Sequence, residues 1–261
     1  MYKFRAFYNN HITHLENRLD EIVFQEDIQN LDELREFHKI YPDIFIWILT
    51  DLSGDEFFEH MPEAVEVAKD VSGGIMLRKL NQVEPKVINI LHELKIKVSC
   101  IVPVYTFAGV QYMLDCNIDD FGITNPITFN MDAVTKICGF DRMNRVWICP
   151  DISQYEVGES EKGFYILPQH LKFFAEEFRV EKFFIMNESI STSAVIDIYT
   201  NEEWNPIIWP LVTGYTNKEI EAGKLLPTFA IRRANCKHVC FHSGHCNTCC
   251  LTIKSPKIEE K

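Results

Sequence analysis

Short apolar runs recur along the first two hundred residues, separated by stretches with helical spacing. The runs are YKFRAFY (2–8), DEIVF (20–24), IFIWILT (44–50), GIMLRKL (74–80), KVSCIVPV (97–104), DDFGIT (119–124), RVWICP (145–150) and KFFIMN (182–187). They are rich in β-branched and aromatic residues, which suits strands. Most are nearly continuous in apolar character, as in a parallel sheet covered on both faces. The intervening stretches predict helices in 29–43, 51–71, 83–96, 106–116, 130–140 and 167–178. Within 83–96, Val83, Val87, Ile90, Leu91 and Leu94 are predicted to share one face, and Pro85 suits the first turn.

A strand–helix unit repeating about every 25 residues implies right-handed crossovers. Eight such strands predict an α/β fold of the TIM-like (β/α)8 barrel type, complete or short of a unit. A doubly wound open sheet is the competitor, but no GxGxxG follows any run. Regular patterning fades after residue 200. The expected division is a barrel over 1–200 and an irregular cysteine-rich extension over 201–261. In that extension a last helix, an extended excursion and a short helix are read before the cysteines. The terminal SPKIEEK is expected to fray.

Composition changes this picture little. The chain has 261 residues, 46% hydrophobic and 25% charged, as in ordinary globular proteins. No apolar run approaches the roughly 20 residues of a membrane span, and the first residues lack a signal-peptide core. A cytoplasmic protein is therefore expected, with reduced thiols. The net charge of −12 argues against nucleic acid as a partner. Arg232, Arg233, Lys237, Lys254 and Lys257 form the local basic exception, for which a solvated surface is the plainer reading.

Cysteine placement changes it more. Cys100, Cys116, Cys138 and Cys149 are scattered singly and read as small core residues. NCKHVCFHSGHCNTCCLTIK (235–254) holds the other five. Cys236-x3-Cys240-x5-Cys246-x2-Cys249 can close four thiolates on one ion, with Gly244 permitting the chain to reverse. Zinc in a closed tetrahedron and a 4Fe–4S cluster both use four cysteines, so the spacing leaves the metal open. His238, His242 or His245 is able to replace a cysteine, and Cys250 is a spare thiol. A metal-free thiol cluster and a disulfide pair are the competing readings. The position after the last strand predicts that the clip ties the C-terminal segment back on the barrel.

Barrel chemistry sits at the carboxyl ends of the strands. Those ends supply Thr50 and Asp51, Arg78, Tyr105, Thr124 and Asn125, Asp151, and Asn187 and Glu188. Asp51, Arg78, Asn125, Asp151 and Glu188 are the candidate catalytic residues. Each has a structural alternative. Asp51 can cap a helix, Asn125 can set the turn before Pro126, and Arg78 can lie on a solvent face. No GxSxG, HExxH or P-loop motif occurs.

DDFGITNPITFNMDAV (119–134), RVWICPDIS (145–153) and the cysteine set give the chain a resemblance in plan to a known family. It is the iron–sulfur (β/α)-barrel collagenase-like peptidase family, whose members act in ubiquinone and tRNA hydroxylation. That resemblance implies an iron–sulfur cofactor. The family spreads its cysteines over a longer stretch, so no catalytic residue is carried over. The chain more closely resembles uncharacterised tailed-bacteriophage proteins that end in the same cysteine pattern, here Arg233-Ala-Asn235-Cys236 followed by Cys240, Cys246 and Cys249. That likeness implies a host-cytoplasmic location and no particular activity.

Two functional readings follow. In one, the barrel mouth is an enzyme site for a small molecule or modified nucleotide, with iron–sulfur or zinc at the cysteines. In the other, the barrel is a binding or assembly scaffold, the zinc clip is structural, and the aromatics of NEEWNPIIWP form a protein contact patch. A base exchanger like tRNA-guanine transglycosylase also combines a barrel with a cysteine-rich zinc site, but its cysteine spacing differs. Under either main reading, Cys246→Ser with Cys249→Ser should abolish the metal in anaerobically purified protein. Retention of one metal per chain by elemental analysis would refute the ligand set.

Overall fold

The eight apolar runs pair edge to edge as parallel strands, and the last pairs with the first. The computed structural model describes residues 2–8, 19–25, 31–50, 55–78, 83–100, 107–123, 131–140, 145–149, 168, 171–186 and 192–202. The order is β1 (Lys3–Phe7), β2 (Glu21–Gln25), α1 (Leu31–Ile40), β3 (Phe45–Thr50), α2 (Asp55–Asp70), β4 (Gly74–Leu77) and α3 (Pro85–Glu93). It continues with β5 (Lys97–Cys100), α4 (Phe107–Asp115), β6 (Asp120–Ile123), α5 (Met131–Phe140), β7 (Val146–Ile148), α6 (Leu171–Phe178), β8 (Lys182–Ile185) and α7 (Thr192–Thr200). Neighbouring strands pair in chain order. β8 closes on β1 through Lys3–Lys182, Phe4–Phe183, Arg5–Phe184 and Ala6–Ile185. The closed (β/α)8 sheet is therefore complete, and the open-sheet alternative is excluded.

Closure follows from the two faces of each strand. Outward residues such as Ile22, Ile46, Ile48, Ile75, Val98 and Phe121 are fully or almost fully buried. They pack against the apolar stripes of the helices, including Leu34 of α1, Val67 and Ala68 of α2, Leu91 of α3 and Phe174 of α6. Inward residues form a second cluster. A strand with both faces covered has no polar phase, which accounts for the continuous apolar runs.

The helix over 83–96 differs in detail from its predicted face. Val87, Ile88 and Leu91 are buried, whereas Ile90 is 45% and Leu94 40% exposed. Ile88 widens the stripe on one side, so Ile90 falls beyond its other edge. Leu94 is the C-cap, where the chain leaves the helix. Pro85 does open the helix, where its missing N–H costs nothing.

Five helices end by the same device. Ser72, Lys95, Asn117, Arg179 and Glu202 have φ between 52° and 63°, one or two residues past the ends of α2, α3, α4, α6 and α7. Left-handed residues of this kind turn the chain and satisfy terminal carbonyls. Gly73 N–H donates to Ala68 O at 2.7 Å, and Ile96 N–H donates to Leu91 O at 2.9 Å. These turns lie at the amino-terminal end of the barrel, where helices pass into strands.

Gly74 is fixed by a different constraint. A Cβ there would lie 2.5 Å from Cζ3 and 2.8 Å from Cε3 of Trp47, and 2.9 Å from the Lys97 carbonyl oxygen. The indole fills the space a side chain would need. Gly74→Ala should lower stability by about 1–3 kcal/mol through overpacking. Urea unfolding followed by circular dichroism checks this, and an unchanged midpoint would contradict it.

Candidate functional site

Strand alternation sorts the barrel interior into two levels. The inward positions are Arg5 and Phe7 of β1, Glu21 and Val23 of β2, and Phe45, Trp47 and Leu49 of β3. Gly74 and Met76 of β4, Ser99 of β5 and Asp120 of β6 continue the set. Trp147 and Cys149 at β7, with Phe184 and Met186 at β8, belong to it too, and Lys3, Lys97, Gly122 and Lys182 share the same parity. Residues early in the strands make the amino-terminal level. Residues late in them make the carboxyl-terminal level.

The amino-terminal level is centred on a fully buried guanidinium. Arg5 donates through Nε to Glu21 Oε2 at 2.8 Å, and through Nη2 to the same carboxylate. It grips Asp120 with both terminal nitrogens, at 3.0 Å to Oδ1 and 2.8 Å to Oδ2. Nη1 also donates to Ser99 Oγ at 3.0 Å. All five N–H donors of the group are thereby used. Trp47 Nε1 donates to Glu21 Oε2 at 2.6 Å, and Ser99 Oγ donates to Asp120 Oδ1. The plane of charge is walled by rings. Arg5 Cζ lies 4.2 Å from the centroid of Trp147, 4.8 Å from Trp47 and 5.5 Å from Phe184.

Burial alone would lower the Arg5 pKa. Asp120 and Glu21 outweigh it, so the guanidinium is held above its ordinary value. Lys182, below the same rings, shows the opposite balance. Its Nζ lies 5.4 Å from the Trp147 centroid, and burial pulls it below the ordinary lysine value despite Asp120 and Glu21. This arrangement is a plug. In barrels of this kind the amino-terminal face serves stability and the carboxyl face chemistry.

The carboxyl-terminal level is apolar and soft. Phe7, Val23, Leu49, Met76, Cys149 and Met186 are all buried there. Cys149 Sγ lies 3.2 Å from where a Cβ on Gly122 would stand. These side chains make a floor under the rim of strand ends. Tyr8, just past β1, lies on the outward parity and stacks on Phe24 at 4.1 Å between centroids. Its hydroxyl donates to Glu33 Oε1 in the first turn of α1 at 2.5 Å. Burial, and then that carboxylate, push its pKa up to about 12.

Of the five predicted catalytic candidates, Arg78 is among the described residues. It directly follows β4 and is half-buried. It stands two residues beyond Met76, on the inward parity of Gly74 and Met76. Asp51, Asn125, Asp151 and Glu188 lie outside the described residues, as do Tyr105, Thr124 and Asn187. Thr50 is corrected. It shares the outward parity of Ile46 and Ile48 and is buried, so it belongs to the helix-facing layer rather than the mouth. Its register partner is Leu77, so the strand ends leading to Asp51 and Arg78 run side by side.

Cys236, Cys240, Cys246 and Cys249, with Cys250 and the neighbouring histidines, also lie outside the described residues. Among the described residues no group of three or more His, Cys, Asp or Glu is placed to hold a metal. Cys100, Cys116 and Cys149 are buried and Cys138 is half-buried, as small core residues should be. No described helix is long and apolar enough to cross a membrane. Sequence reading missed Arg5, Glu21, Ser99 and Asp120. The available signal was a charge at the centre of the apolar run KFRAF, on the inward parity of its strand.

No protein-family model and no curated protein matches the sequence. Among solved structures, the chain is similar to 3-keto-L-gulonate-6-phosphate decarboxylase from Vibrio cholerae. The match has a TM-score of 0.50 at 8% identity, covering 77% of this chain and 98% of that one. It also matches 3-hexulose-6-phosphate synthase from Salmonella typhimurium, at TM-score 0.48 and 10% identity, covering 78% of this chain and 100% of that one. At such low identity the likeness to the decarboxylase shows the fold alone, and the fold it shows is the (β/α)8 barrel.

Proposed function

We propose that the protein is a barrel enzyme that takes a small molecule or modified nucleotide at its carboxyl-terminal mouth. Its extension would hold zinc or a 4Fe–4S cluster at Cys236, Cys240, Cys246 and Cys249. The observation that carries the mouth is the division of the interior. The Arg5 plug fills the amino-terminal level, while the opposite level offers an apolar floor with Arg78 at its edge. A guanidinium beside an apolar floor suits a ligand with a carboxylate or phosphate, which Arg holds by paired charge-assisted hydrogen bonds. The floor of Met76, Met186 and Cys149 adapts to the apolar part of such a ligand.

The second reading is a binding or assembly protein with a structural zinc clip. One observation favours it. α7 carries the chain back to the amino-terminal end of the barrel, away from the mouth, before the extension begins. Four thiolates on zinc also leave no open position for water. Under this reading the clip is structural and the mouth is a binding site without turnover.

The test uses full-length protein purified without exposure to air. Thermal shift against a panel of phosphorylated and carboxylated small molecules and nucleotides should find a ligand that raises the melting temperature. Arg78→Ala should weaken that ligand at least about tenfold, the loss of roughly 1.4 kcal/mol of charge-assisted binding. A panel in which nothing shifts the transition, or an Arg78→Ala protein that binds equally well, would overturn the mouth assignment. A brown sample would favour the redox-capable cluster, and a colourless sample with one zinc per chain would favour the structural clip.

A further inference from the structure

The other end of the barrel also carries an unexplained surface. A groove of about 840 Å³ lies beside the starts of β1, β2 and β8 and the ends of α6 and α7. Its apolar wall includes Phe4, Leu19 and Ala175. Among the described residues five carboxylates line it, those of Asp20, Asp43, Glu176, Glu181 and Glu202, against the cation Lys172, which lies 3.7 Å from Glu176. Tyr2 registers this field. Burial first, then a hydrogen bond to Glu202 and the charges of Glu202, Glu176 and Glu181, push its pKa up to about 12. Asp43, Glu176 and Glu181 are exposed, so their charges face any molecule entering the groove.

Two facts point to the occupant. The described chain ends at Glu202, which itself lines the groove. Beyond it, residues 222–258 carry Lys224, Arg232, Arg233, Lys237, Lys254 and Lys257 and no aspartate or glutamate. With the whole chain at −12, this segment is +6 and the remainder −18. Residues 203–221 separate Glu202 from this segment, and an unstructured chain of that length spans about 25 Å. A tether of that kind holds a weak partner at roughly millimolar effective concentration.

We propose that this groove seats the chain's own basic segment, residues 222–258, so that the extension docks on the amino-terminal end of the barrel. The inference requires neither a mouth ligand nor a particular metal. It gives the extension a place from which it leaves the mouth open.

Carbodiimide crosslinking of the dilute, full-length, metal-replete protein tests this, with the linked pairs read by mass spectrometry. Lys224, Lys237, Lys254 or Lys257 should link to Asp43, Glu176, Glu181 or Glu202 within one chain. The yield should collapse at about 1 M salt, where the Debye length is about 3 Å. The paired variant Glu176→Lys with Glu181→Lys changes exposed positions, so it should fold. It should lose at least about tenfold of the yield at the two remaining acceptors, Asp43 and Glu202, while Glu176→Gln with Glu181→Gln loses less there. Links from these lysines mainly to acids elsewhere, or between differently labelled copies, would overturn the proposal. So would an unchanged yield in the charge-reversed protein. Protection of the lysines only by an added RNA or DNA oligonucleotide, indifferent to the groove variants, would assign the basic segment to nucleic acid instead.

Discussion

A buried arginine sets the terms for this barrel. Arg5 has no access to solvent, and leaving a guanidinium unpaired in such a place would cost several kcal/mol. Its five donors are therefore met by side chains from three other strands: Glu21 of β2, Ser99 of β5 and Asp120 of β6. Strands far apart in sequence must then hold their register to a fraction of an ångström. The rings of Trp47, Trp147 and Phe184 wall the guanidinium off from water, and Gly74 leaves room for one of those rings. One interaction thus couples β1, β2, β5 and β6 directly, and β3, β4, β7 and β8 through the aromatic shell.

The cluster also makes the two ends of the barrel unlike. By filling the amino-terminal level, it leaves the carboxyl level as an apolar floor with Arg78 beside it. The outer surface divides in the same sense. Helices end at the amino-terminal end in left-handed turns, and there the carboxylates of Asp43, Glu176, Glu181 and Glu202 gather around a groove. The chain departs from that end. A ligand at the mouth and an extension at the groove would therefore not compete for space.

The barrel was largely legible in the sequence because its strands are covered on both faces. All eight strands coincide with the apolar runs to within a few residues, and Pro85 marks the start of α3. Helix ends were harder to read, since Ser72, Lys95, Asn117, Arg179 and Glu202 occupy turn positions where glycine is the usual signal. Thr50 was misplaced because reading strand ends by polarity ignores parity, which only the register with β4 settles. Arg5, Glu21 and Asp120 were passed over for a related reason. Their partners lie up to 115 positions apart along the chain, so no local pattern marks them as one group. Arg78 was legible as a strand-end cation, and its parity with Met76 adds the direction.

The direct test of the central constraint compares one cut with a complete replacement. Arg5→Leu leaves the buried Asp120 and the part-buried Glu21 without their cation and should cost about 3–5 kcal/mol in urea unfolding followed by circular dichroism. Adding Glu21→Gln and Asp120→Asn removes the uncompensated charges while keeping acceptors for Trp47 and Ser99. That triple variant should recover much of the loss. An Arg5→Leu protein with an unchanged unfolding midpoint, or a triple variant no more stable than the single one, would contradict the view that this ion cluster governs the barrel.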